Sequence, residues 1–225
     1  YRSKFLKSPG HSWFSKKSYG ELLKIHHVEK TKLLSIVVSN KAHSKGHKDR
    51  IAFCLKLKNY FGNKVDLFGK GFNDFDDKWQ VIAPYKYSIA IENCIEDHWV
   101  TEKIGDCFTS HTFPFYNGAP NIHDYYNAKS FELIDIYNFE KSLKNIIKVI
   151  DDPGHYNNHL KYLKEAKSEY LNKISIIPMI CNFINTNIDD SMSGSENTKM
   201  KIYPEKINYS LAAHAKNFLK KVLKF

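Results

Sequence analysis

Residues 85–118, YKYSIAIENCIEDHWVTEKIGDCFTSHTFPFYNG, restrict the fold more than any other stretch of this chain. Tyr87 to Ile91 is a short apolar run, rich in aromatic and β-branched residues, and predicts a buried strand. Glu92 and Asn93 follow at once, where a buried carboxylate needs a partner to offset its desolvation. A polar loop through Asp97, His98 and Trp99 leads to Thr101-Glu102-Lys103, the expected first turn of a helix from Thr101 to about Ser110. A second apolar run, Thr112 to Tyr116, ends at Asn117-Gly118. Two buried strands with a helix between them and polar residues at both exits describe a βαβ unit. Ligands of open α/β sheets bind at such exits.

The rest of the chain repeats this alternation. Strands are expected over 31–38, 65–68 and 131–136, with helices over about 50–60, 138–151 and 158–173. The fold class is therefore α/β, a Rossmann-like parallel sheet flanked by helices. The domain occupies 31–184. Residues 1–30, basic, aromatic and irregular, are expected to be a linker or the remnant of an upstream domain. Residues 185–209 are polar and contain Gly and Ser, and are expected to be a flexible loop. Residues 210–225 are expected to form a basic amphipathic helix, with Leu211, Ala215, Phe218, Leu219, Val222 and Leu223 on one face. Packing on the domain is its plainer role, and peripheral contact with an anionic membrane surface the sharper one.

The net charge of +10 raises the question of nucleic acid. The lysines are spread along the whole chain, without an arginine-rich block or a nucleic-acid motif, so nucleic acid is not an expected partner. Cys54, Cys94, Cys107 and Cys181 are too far apart for a CxxC metal site or a disulfide framework, and are expected to be reduced thiols. The expected compartment is the cytoplasm, on the inner membrane face if peripheral, or the Golgi lumen for a fragment of a eukaryotic enzyme. Asn208-Tyr209-Ser210 matches a glycosylation sequon, a pattern frequent by chance.

The chemistry concentrates at the predicted strand exits. Arg50 opens a helix after a strand and a polar loop, and Lys103 lies in the first turn of another. A helix N-terminus presents free N–H groups and a positive dipole end, so a cation on each of two helices makes a clamp for a pyrophosphate. Glu102 can accept two hydroxyl hydrogen bonds, as a ribose diol offers. Trp99 can cover an apolar ring face. Together these suggest a sugar nucleotide. Asp74-Phe75-Asp76 has the form of a metal-binding DxD triplet but sits in an acidic turn, where solvation is the simpler account. His43/His47 and His155/His159 have i,i+4 spacing without an evident third ligand, and no metal site is expected.

The segment 85–103 resembles the donor-binding motif of the α-1,3-fucosyltransferase family, glycosyltransferase family 10. The matching residues are Tyr85-Lys86-Tyr87, Glu92-Asn93 and Trp99-Val100-Thr101-Glu102-Lys103. The likeness runs on through Pro114, Tyr116, Gly118 and Pro120 to Tyr125, and upstream to Ser39-Asn40, Arg50 and Asp66 to Gly71. It spans roughly residues 31–170. It implies the donor-binding half of a two-Rossmann-domain (GT-B) glycosyltransferase, with GDP-fucose as donor, a glycan hydroxyl as acceptor and no required cofactor. Arg50 and Lys103 would hold the pyrophosphate and stabilise the leaving group, and Glu102 would take ribose hydroxyls. Ser39, Asn40, Tyr87, Glu92, Asn93, Trp99, Val100 and Thr101 would complete the donor site, with Asn93 and Glu92 near the sugar or diphosphate. The family usually has Tyr where Trp99 stands, which exchanges a hydroxyl for an indole N–H. In the family the acceptor half, carrying the general base, precedes the donor half. Only 30 residues precede Thr31, so the chain is expected to be a donor-binding module, cut from a longer enzyme or short by nature, with its base unassigned.

Overall fold

The computed structural model describes residues 13–187. In chain order these form α1 (Tyr19–Lys24), β1 (Lys32–Val37), α2 (Lys45–Phe61), β2 (Val65–Phe68), α3 (Lys78–Ile82), β3 (Tyr85–Ile91), α4 (Glu102–Thr109), β4 (Phe113–Asn117), β5 (Glu132–Leu133), α5 (Phe139–Ile150), α6 (His155–Glu169) and α7 (Ile176–Asn187). The sheet is parallel throughout, in the order β2-β1-β3-β4-β5. Chain order reverses between β1 and β3, so the crevice outside their carboxyl ends is the topological switch point. Ser39-Asn40 leave β1 there, and Glu92-Asn93 leave β3. The three inner strands β1, β3 and β4 carry buried apolar side chains because helices cover both faces. Leu34, Ile36, Tyr87, Ile89, Phe113 and Phe115 are all at most 5% exposed.

Several elements differ from the sequence expectation. The helix placed at 50–60 starts five residues earlier, because Ser44 caps it through His47 N–H (3.2 Å). The polar loop expected before Arg50 is thus half helix, and Arg50 stands in the second turn of α2 rather than opening it. Short α3 went unpredicted; Asp77 starts it by accepting from Trp79 N–H at 3.0 Å. The strand expected over 131–136 pairs only at Glu132–Leu133. Beyond it, Asp135 N–H turns to Ser142 Oγ (2.8 Å) and the chain is drawn into α5. The helix expected over 158–173 begins at His155 and closes with a π-helical turn, Tyr170–Ile174. That turn sets Tyr170, 2% exposed, against Gly105 of α4, where any Cβ would collide with its ring.

Residues 13–30 are not a linker. Ser18 and Glu21 form a capping box for α1, and Leu22 is fully buried. The Lys30 ammonium donates to Ala83 O (2.7 Å), Ser110 O (2.8 Å) and Thr112 Oγ1 (2.8 Å), and Lys167 Nζ donates to Ile25 O (2.7 Å). These bonds tie the segment to the underside of the sheet. Residues 1–12, most of the loop expected over 185–209, the sequon and the helix expected over 210–225 lie outside the described residues. Among the described residues no helix is long and apolar enough to cross a membrane, Cys54 and Cys107 are buried, and Cys94 and Cys181 are exposed.

His111 joins α4 to β4 in the left-handed region (φ 54°), its ring 2% exposed. Burial, with Lys167, Lys30 and Lys164 adding repulsion, lowers it from 6.5 to about 3. Its neutral form is folded in, so the unfolded chain binds the extra proton first and stability is lost as pH falls from 6.5 toward 3. Asparagine tolerates the same backbone conformation. Denaturant titrations at about pH 7 and pH 4 are expected to show His111→Asn losing roughly 3 kcal/mol less on acidification than wild type. Equal losses would mean that His111 is not held neutral.

Candidate donor-binding site

At the exit of β3 the sheet presents Glu92 and Asn93 side by side, and each holds a cation from a different helix. Asn93 Oδ1 accepts from Arg50 Nη1 of α2. Glu92 Oε2 accepts from Lys103 Nζ of α4 at 2.9 Å. Gly46 permits this convergence, since a Cβ there would strike the Asn93 carbonyl. Arg50 is 8% exposed and its Nε is buried without a partner. Lys103 has carboxylate partners in Glu92 and Glu102, while Arg50 meets the neutral Asn93 amide. His47, on the same turn of α2, registers their field: burial lowers its pKa most, and Arg50, His43, Lys41 and Lys103 lower it further.

Helix α4 begins at Thr101, whose side chain makes no capping bond to the helix. Instead Glu92 accepts from Thr101 N–H (2.8 Å) and from its hydroxyl (2.9 and 2.7 Å). Glu102 lies 3.5 Å from Lys103 Nζ, its side chain 17% exposed. Burial works to raise its pKa, but Lys103 and Lys78 pull it below the usual carboxylate range, so it is an ionised acceptor. Trp99 is 45% exposed, an open ring beside the helix start. Asn40 is exposed past β1, its N–H on Lys70 O (2.9 Å), and Ser39 is half-buried next to it.

Four assignments change. Tyr87 is 1% exposed in the first half of β3, its ring against Phe113, Phe115 and Tyr156. It is a core residue, remote from the strand exit. Val100, 3% exposed, also belongs to the core. Glu92 has no side-chain exposure and both oxygens are taken by α4, so it lies beneath the site rather than against a sugar. Thr101 is likewise buried, 7% exposed, as part of that support.

A cleft of about 410 Å³ opens beside Glu92 and Asn93, walled by Lys45, Ile95, Asn117 and Tyr137 among others. None of these four was expected. Lys45 and Tyr137, whose ring lies under the Lys45 ammonium at 5.1 Å, come from stretches with no motif. Asn117 was visible only as a polar residue at a strand end. Asp74 and Asp76 are exposed. Asp76 pairs with Lys16 (2.5 Å), and neighbouring Asp77 caps α3. Rings of His155 and His159 stack at 4.0 Å, and among the described residues no three His, Cys, Asp or Glu side chains gather as a metal site.

A parallel sheet with Arg50 and Lys103 held beside its switch point is a Rossmann-like α/β domain. Comparison with known proteins narrows the class. The family model for glycosyltransferase family 10 (fucosyltransferase), C-terminal region, matches residues 27–200, and the chain belongs to that family. It is 33% identical over 109 residues to the alpha-(1,3)-fucosyltransferase FucT of Helicobacter pylori, covering 48% of this chain and 20% of that protein. It is 30% identical over 96 residues to mouse (Mus musculus) GDP-fucose protein O-fucosyltransferase 3, covering 42% of this chain and 20% of the relative. A crystal structure of an alpha1,3-fucosyltransferase superposes with TM-score 0.54 at 26% identity, over 76% of this chain and 50% of that one. A structure solved with GDP-fucose gives TM-score 0.53 at 25% identity, over 71% and 48%. The chain thus spans about half the length of the solved enzymes it resembles.

Proposed function

We propose that this chain is the donor-binding half of an inverting fucosyltransferase, which moves L-fucose from GDP-fucose to a glycan hydroxyl. The observation that carries this reading is the convergence of Arg50 and Lys103, from two helices, on the Glu92-Asn93 exit of β3. In the reaction a base removes the acceptor proton, the oxygen attacks the anomeric carbon, and GDP leaves from the opposite face. Negative charge grows on the β-phosphate, where Arg50, Lys103 and the uncapped first turn of α4 stabilise it. Glu102 takes ribose hydroxyls, and the ring of Trp99 covers the donor. Fixed cations perform the neutralisation, so no step in this scheme calls on a metal.

Glu92, at the exit of β3, is sealed by Thr101 and Lys103, and Glu102, at the start of α4, is assigned to the ribose, so neither supplies the base in this scheme. That favours a second reading, in which this segment holds the donor and transfers nothing by itself. Transfer to a lactosamine-type acceptor, or slow hydrolysis of GDP-fucose by this chain, would exclude it. Calorimetric titration with GDP-fucose, GDP-mannose and UDP-galactose tests the donor assignment. GDP-fucose is expected to bind tightest and UDP-galactose at least tenfold more weakly, a difference of about 1.4 kcal/mol. Equal affinities, or none for a guanine nucleotide, would sink the assignment.

A further inference from the structure

The Lys103 ammonium has three N–H bonds to give. One goes to Glu92 Oε2 (2.9 Å) and one to Thr101 Oγ1 (2.7 Å), and Glu102 Oε1 stands further off, at 3.5 Å, within reach of the third only at long range. The Glu92 carboxylate that receives the first has no side-chain exposure, and it also binds the N–H and hydroxyl of Thr101. A carboxylate buried this completely is costly unless it is fully paired, and here every hydrogen-bond partner comes from Thr101 or Lys103. Its own backbone is fixed, since Glu92 N–H bonds Asn117 O at 2.8 Å. A rigid central strand therefore grips the end of a flexible four-carbon side chain. The neighbouring residue repeats the device, Asn93 gripping Arg50.

We infer that Glu92 is a positioning residue for the diphosphate: it locks Lys103 and the start of α4 so that the remaining N–H of the ammonium meets the phosphate. This rests on the donor-site reading above. A carboxylate that pins a phosphate-binding lysine is also required in protein kinases. The competing role is a neutraliser, which only cancels the charge of Lys103. The two roles predict opposite signs. A neutraliser, once removed, leaves a barer cation that binds phosphate more tightly. A positioning group, once removed, frees the lysine to wander and weakens binding.

The test is calorimetric titration of the full chain with GDP and with guanosine, in wild type, Glu92→Gln, Lys103→Ala and the double variant. Glutamine keeps the shape and one acceptor for Thr101 N–H. Glu92→Gln is expected to weaken GDP about tenfold, the lower end for supporting partners at metal sites, and to leave guanosine unchanged. The double variant is expected to bind GDP no more weakly than Lys103→Ala alone, because groups acting through one another are not additive. Unchanged or tighter GDP binding by Glu92→Gln would overturn the inference. So would an equal loss for guanosine, which marks a structural role only, or a full additional loss in the Lys103→Ala background. If Glu92→Gln does not fold, Glu92→Asp, which retracts the charge by one methylene, goes through the same titrations. Wild type that binds no GDP would instead refute the donor-site reading and this inference with it.

Discussion

Replacing Lys103 with alanine is expected to lower fucosyl transfer by about 10²- to 10³-fold, close to 3 kcal/mol, the cost of losing one fixed donor aimed at developing charge. The geometry supports so large an effect. Lys103 Nζ is held by Glu92 and Thr101, so it does no searching when charge develops on the leaving phosphate. Preorganised donors in a partly dehydrated site are worth more than mobile ones in water. Arg50 remains in Lys103→Ala, which keeps the loss finite. Its guanidinium is steered by Asn93 and does not depend on Lys103. Steady-state transfer rates with GDP-fucose measure the effect where the chain turns over, and GDP affinity by calorimetry measures it otherwise. If both are unchanged, the phosphate clamp is assigned to the wrong lysine.

That Arg50 and Lys103 lie beside the β3 exit was legible in the sequence because its signals are local. Lys103 follows a strand and a polar loop into the first turn of α4, where a helix N-terminus favours an anion, whereas Arg50 stands in the second turn of α2, away from its start. What stayed hidden depends on where the side chains around them point. Glu92 reads from sequence as a polar group at a strand end, free for a ligand. Only the return of α4 over the exit shows that Thr101 and Lys103 use up its oxygens. Tyr87 was drawn into the site by its place in the motif, yet it lies at the other end of β3, where residue spacing along a strand separates it from the exit. Lys45 and Tyr137 were invisible for a different reason. The first sits in a helix turn that a weak Ser44 cap decides, and the second follows a strand only two residues long. The segment before Thr31 misled most, since its bonds to Asp106, Ala83 and Ser110 span 53 to 92 residues and leave no periodicity to read.

The bond from that segment to Asp106 leads to the second large effect, which is on stability. Lys78 Nζ of α3 lies 2.6 Å from Asp106 Oδ2 of α4, with side-chain exposures of 13% and 4%. Asp106 Oδ1 also accepts Phe14 N–H at 2.8 Å, so one carboxylate joins α3, α4 and the irregular segment before α1. Burial acts to lower the Lys78 pKa, but Asp106, with Glu102 behind it, keeps it raised above the usual value, as a charged partner must. Lys78→Met removes the cation and leaves a buried carboxylate unpaired, at an expected cost of about 3–5 kcal/mol. The pH dependence identifies the cause. Burial already holds the Asp106 pKa above its usual value against the pull of Lys78; with that partner gone it rises further, so the protonated form is favoured more in the fold and the deficit shrinks as pH falls toward the carboxylate range. Adding Asp106→Asn to Lys78→Met removes the unpaired charge and is expected to recover much of the loss, at least 1 kcal/mol or so of coupling. Chemical denaturation of the two single variants and the double at about pH 7 and pH 5 measures all three terms. A Lys78→Met deficit that is small, or that does not change with pH, would mean that solvent reaches this pair and that the anchoring of α4 lies elsewhere.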